Sequence, residues 1–183
     1  MTITPEQAGE ALQSIEDTGR HSARLYRYRL ASPYFLLWGL GWALAYTLTH
    51  FFPKHAGASW LAVDVAGLAG SWLLMRARPS TARHHGAWRL MGAGLVLVGF
   101  VAASMAVLQP TSGRQISTFV TLVLAAAYAL VGLWAGWRLV AIGALVAGVS
   151  LIAYFWIGTY FNLWMAFAGG GGLVAVGVWL RKA

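Results

Sequence analysis

Apolar residues gather in six long blocks, at about 34–52, 58–76, 88–108, 116–136, 139–157 and 160–180. Each is close to the ~20 residues an α-helix needs to cross a ~30 Å hydrocarbon core. The breaks between blocks are short: PKHAG, RARPSTARHHGA, QPTSGRQ, GWR and GT. Connections of that length make sequential helices pack antiparallel. The pattern predicts an all-α integral membrane protein, with residues 32–183 forming a six-helix transmembrane bundle of three antiparallel hairpins.

The first 31 residues follow another rule. Thr4 is placed to cap a helix that Pro5 opens, with Gln7 at the capping-box position. Ala8, Ala11, Leu12 and Ile15 then recur on one narrow face. Glu6, Glu10, Glu16 and Asp17 come first, and Arg20, Arg24, Arg27 and Arg29 follow. Acids at the start and bases at the end suit the helix dipole and place the basic end beside lipid headgroups. Residues 1–31 are thus expected to form a cytoplasmic amphipathic, basic juxtamembrane helix. It would rest on lipid or dock a cytoplasmic protein partner. Ser32 and Pro33 offer a fresh cap and first-turn proline for the first membrane helix.

Composition reinforces the membrane reading, with 59% hydrophobic and only 10% charged residues. The net charge of +8 is distributed by topology. Eleven Lys and Arg residues fall on one side of the predicted bundle, and only Lys54 and Arg114 on the other. Translocating such cations is disfavoured, so the crowded side is cytoplasmic. An even number of crossings then puts both termini there, in a bacterial cytoplasmic membrane. Nucleic acid is not expected as a partner, because these bases serve orientation. Nine of the ten tryptophans lie near predicted helix ends, where indoles form interfacial belts, and Trp42 alone lies deeper. No cleavable signal peptide is expected ahead of the first apolar block.

Candidate chemistry is sparse. No cysteine is present, and no HExxH, GxSxG, Walker loop or acidic ligand cluster occurs, so neither an enzyme, a cofactor nor a metal site is expected. His84 and His85 stand in a basic loop with no carboxylate. The exception is WLAVDVAG, residues 60–67, where Asp64 is the only acid after Asp17. At ~1.5 Å per residue it lies roughly 10 Å inside the second helix, on a stripe with Trp60, Gly67 and Ser71. An ionisable group inside a membrane is costly unless paired or wetted. Tyr46, His50 and Arg114 are its predicted neighbours. They would form either a structural tie or a proton- or cation-binding site.

The second unusual stretch is Gly169, Gly170, Gly171 and Gly172 in the last apolar block. Each glycine costs about 1 kcal/mol against alanine within a helix. Either close packing, including packing between copies in a homo-oligomer, or a broken helix beside a path would compensate. Gly132 and Gly136 form a GxxxG in the fourth block. Together these features suggest a non-enzymatic anchor, sensor or accessory subunit acting through its N-terminal helix and basic loops. The alternative is a small proton- or cation-coupled transporter or channel using Asp64 and His50.

Overall fold

The computed structural model describes residues 5–77 and 87–182, and every regular element among them is helical. These are α1 (Pro5–Phe51), α2 (Ala56–Arg76), α3 (Ala87–Leu108), α4 (Gly113–Ala135), α5 (Trp137–Ile152), α6 (Phe161–Trp164) and α7 (Gly172–Lys182). Wide π-helical turns, Ala153–Ile157 and Met165–Gly171, continue α5 and join α6 to α7. Three helical stretches are long and apolar enough to cross a membrane: Pro53–Arg76, Gly113–Ala135 and Trp137–Lys182. The corresponding apolar part of α3, Gly92–Leu108, is shorter. The apolar second half of α1 is diluted by Tyr46, Thr47, Thr49 and His50.

The expected break at Ser32 and Pro33 is absent. α1 runs through Pro33 as one helix of 47 residues, about 70 Å long. Proline removes one amide donor from a helix interior. Ser32 does not cap a new helix, because its hydroxyl donates instead to the buried carbonyl of Gly177, at 2.7 Å. A distant acceptor thus takes the side chain that local chemistry reserves for a helix start. Thr4 and its expected cap lie outside the described residues.

α4 does begin with a local signal. Ser112 accepts from the Gln115 amide while the Gln115 side chain returns to the Ser112 amide, a capping box. The helix ends at Gly136, whose φ of 134° is open to glycine and strained for other residues. α5 then folds back along α4. A methyl group at Gly132 would lie 2.5 Å from the Val140 nitrogen, and one at Gly143 would lie 2.5 Å from the Ala125 carbonyl. The backbones touch. Within the chain, Gly132 is therefore a packing position and Gly136 a turn.

The chain reverses again at Gly158, where φ is 55°. Trp164 donates to the Val149 carbonyl at 3.1 Å, fifteen residues back. A straight helix would hold these about 22 Å apart. The glycine run follows and is not a break, since helical backbone continues through it in π form. Gly170 sits against Ala43 of α1, with only 2.5 Å from its potential methyl to the Ala43 nitrogen. Gly39 meets Val174 and Gly170, and Gly177 meets Leu36, in the same seam. Gly171 and Gly172 face open space. Arg138 ties the far end together, its guanidinium 5.2 Å from the Tyr28 ring and 4.7 Å from the Trp179 ring.

Candidate functional site

Three neighbouring faces of α1 have different tasks. Ser32, Leu36, Gly39 and Ala43 meet α7 and the π turn before it. Leu37 and Gly41 meet Gly70 and Val63 of α2. Between those faces project Trp38, Trp42 and Tyr46, four residues apart and hence one above another. They form one wall of a cavity of about 480 Å³. That volume falls within the range of small-molecule sites, roughly 300–1,000 Å³.

α2 and α4 make the sides. From α2 come Trp60 and Asp64, and from α4 come Ser117, Thr121 and Tyr128 with three aliphatic neighbours. Val146 of α5 and Leu173 of α7 close the depth. The α2 wall is positioned by side chains: the Trp38 ring lies on Gly67 and its indole N–H donates to Ser71 Oγ at 3.1 Å. Tyr46 anchors the centre. Its ring meets Trp42, Trp60 and Phe161 edge-on at centroid distances of 6.1, 4.8 and 6.3 Å. Edge-to-face geometry at these separations is favourable and fixes ring planes.

Asp64 stands at the exposed side of this cavity. Among the described residues no cation or hydrogen-bond donor is paired with its carboxylate. The two expected partners are engaged elsewhere. The His50 ring lies 6.4 Å from Tyr160 and 5.1 Å from Phe51. Arg114 reaches over Tyr154, at 5.3 Å. Of the three residues expected around the acid, only Tyr46 shares the cavity with Asp64. The reason is position along the axis: His50 shares the face of Tyr46 but lies one turn further along α1, beside Tyr160 at the reversal.

The opening lies between α2 and α4. α2 rests chiefly on α1, leaving Leu61, Val65 and Leu68 exposed. α3 meets α4 away from that lining. Its Phe100 stacks on Phe119, two residues from both Ser117 and Thr121 and so on another face of α4.

Residues expected elsewhere prove to line the site. Trp38 and Trp60 were assigned to interfacial belts, yet they are cavity walls, whereas Trp134, Trp137 and Trp156 are 81, 67 and 75% exposed. A legible signal existed in α4, where Ser117, Thr121, Leu124 and Tyr128 recur every three or four residues in an apolar helix. Polar residues with that spacing face the interior of a bundle. The glycine run does not line the cavity, although Leu173 directly after it does. Arg29 is exposed on α1. The side chains of Arg20, Arg24 and Arg27, and all of His84 and His85, lie outside the described residues.

Thr47, Thr49 and Thr121 return their hydroxyl protons to carbonyls four residues back, so these polar groups need no external partner. Among the described residues no cluster of three or more His, Cys, Asp or Glu side chains is placed to hold a metal. The cavity offers one free charge, a ring of aromatic surface and little else. That set can bind and orient a molecule.

No protein-family model, curated protein or solved structure shows significant similarity to this chain.

Proposed function

We propose that this chain is a non-enzymatic membrane sensor, in which the cavity receives a ligand and the N-terminal helix reports it. One observation carries the reading. α1 supplies Trp38, Trp42 and Tyr46 to the cavity and continues without interruption to Pro5, far beyond the bundle. A shift of these side chains by an occupant is transmitted to the N-terminal segment as rigid motion, because a continuous helix does not absorb it locally. The acidic and then basic stretch at 6–29 is the surface offered to a cytoplasmic partner or to lipid headgroups. The anchor and accessory-subunit roles use the same surface.

The reading includes six crossings as three hairpins, both termini on the cytoplasmic side of a bacterial membrane. The eleven-to-two distribution of Lys and Arg supports it, as do the reversals at Gly136 and Gly158. The chain has no cysteine, so single-cysteine variants are clean reporters of topology. A membrane-impermeant maleimide applied from outside is expected to label Lys54→Cys and Ser112→Cys but not Gln13→Cys or Lys182→Cys. Labelling of all four, or of none, sinks this topology. A homo-oligomer would use α3, where Gly92, Gly94 and Gly99 face open space.

The sensor reading is tested by filling the cavity from α4. Ser117→Phe should change the spin-label distance distribution between Gln13→Cys and Lys182→Cys, measured by pulsed electron resonance in nanodiscs. An unchanged distribution would refute coupling between cavity and helix. The second reading, a cation-coupled transporter, is favoured by the free carboxylate of Asp64 at the cavity's open side. It requires flux in proteoliposomes that disappears in Asp64→Asn.

A further inference from the structure

We infer that the cavity is built for an amphipathic organic monocation, an alkyl- or arylammonium, held by Asp64 and enclosed by aromatic rings. The inference rests on reading the cavity as a ligand site and names the class of ligand.

The charge sets the sign. Asp64 is exposed to the cavity with no cation or donor beside it among the described residues. A carboxylate within the depth of a membrane demands compensation by charge or water. An anion would be repelled, and a neutral apolar occupant would exclude water from the acid without replacing it. One carboxylate matches one positive charge.

The walls set the kind of cation. A hard metal ion takes about six or more oxygen ligands, carboxylates foremost, whereas this lining offers a single carboxylate, Asp64, the neutral hydroxyls of Ser117, Thr121, Tyr46 and Tyr128, and otherwise aromatic or aliphatic surface. Aromatic faces attract a cation through their quadrupole, and an ammonium with carbon substituents is weakly hydrated and suits such a surface. Trp42 and Tyr46 are buried at 7 and 1% exposure, and ring contacts hold Tyr46 against Trp60. The box is therefore organised before a ligand arrives. Trp38, half-buried and held by a single bond to Ser71, is the more adjustable part of the lining. The exposed members of the lining, Asp64 of α2 and Ile116 of α4, mark where such a molecule enters.

The test uses the purified full chain in nanodiscs, with benzyltrimethylammonium and its uncharged carbon isostere neopentylbenzene, in equilibrium dialysis. The cation should bind saturably, one per chain, at least about tenfold more tightly than the isostere, and Asp64→Asn should weaken it by about tenfold or more. Asp64→Glu should keep binding within about threefold, and Trp60→Leu should lose several-fold where Trp60→Phe loses little. Trp156→Leu, at an exposed position outside the cavity, should leave binding unchanged. Absence of saturable cation binding, equal binding by Asp64→Asn, or equal binding of the isostere overturns the inference. A fluorophore on Gln13→Cys separates this from the sensor reading. Cation binding without a fluorescence change sustains the cation site and refutes the sensor. A response to the isostere alone sustains the sensor and refutes the cation.

Discussion

The seam between α1 and α7 and the cavity between α2 and α4 use adjoining faces of the same helix, and they are built in opposite ways. In the seam, glycine brings backbone onto backbone: Gly170 leaves no room for a methyl before the Ala43 nitrogen. Dispersion between closely approaching helices is what stabilises association in lipid, where little hydrophobic driving force remains. On the cavity side, contact is made by side chains lying on α2, with the Trp38 ring over Gly67 and Leu37 over Gly70. Such contacts can yield. The molecule thus combines a rigid spine with a wall that can adjust, which is the arrangement a ligand site needs.

Substitutions can break that contrast, and the largest effect belongs to the spine. Gly170→Ala should destabilise the folded chain by about 3 kcal/mol, since backbone and not a mobile side chain would have to retreat. Its neighbours Gly171→Ala and Gly172→Ala should be neutral or slightly stabilising, because nothing lies within 4 Å of the added methyl. Equal effects at Gly170 and Gly172, measured by reversible unfolding in mixed micelles, would erase the distinction on which the spine rests.

Next comes Ser32→Ala, which strips the Gly177 carbonyl of its buried donor and should cost about 1 kcal/mol in the same assay. A negligible loss would mean that Ser32 is incidental to the seam. Trp38→Phe removes the bond to Ser71 on the adjustable wall and should cost less, about 0.6 kcal/mol, a typical value for interhelical bonds in lipid. A loss exceeding that of Ser32→Ala would reverse the proposed order of rigidity. The smallest effect is expected at Asp64→Asn, near zero or stabilising, because no partner is lost and a costly charge is removed. A clear fall in melting temperature would make Asp64 a structural tie after all.

The glycine run shows what local pattern leaves undecided. Four consecutive glycines announce that something exceptional happens at 169–172, and packing and a path predict the same residues. The structure distinguishes them individually: Gly170 is pressed on α1, while a methyl added at Gly171 or Gly172 would meet nothing within 4 Å outside its own helix turn. The same holds for the tryptophans. Proximity to a predicted helix end placed Trp38, Trp60 and Trp134 in one group. Two of them line a cavity and one is 81% exposed.

Much was nevertheless decided by the sequence alone. The helical class follows from apolar block length. The reversals near 136 and 158 follow from glycine and short polar breaks, and the start of α4 follows from Ser112 and Gln115. The inward stripe of Trp60, Asp64, Gly67 and Ser71 is also local, because residues three and four apart share a helix face. These features depend on interactions within a few residues. Tertiary structure decided which faces meet. Ser32 was read as a cap because its neighbours allow it, but Gly177, 145 residues away, takes its proton. Asp64 is expected to meet His50 or Arg114 because all three lie toward one end, yet His50 packs beside Tyr160 and Arg114 reaches over Tyr154. End position can be counted along a chain. Which neighbour a side chain reaches is set by which surfaces pack most closely, and that comparison exists only when all the helices are present.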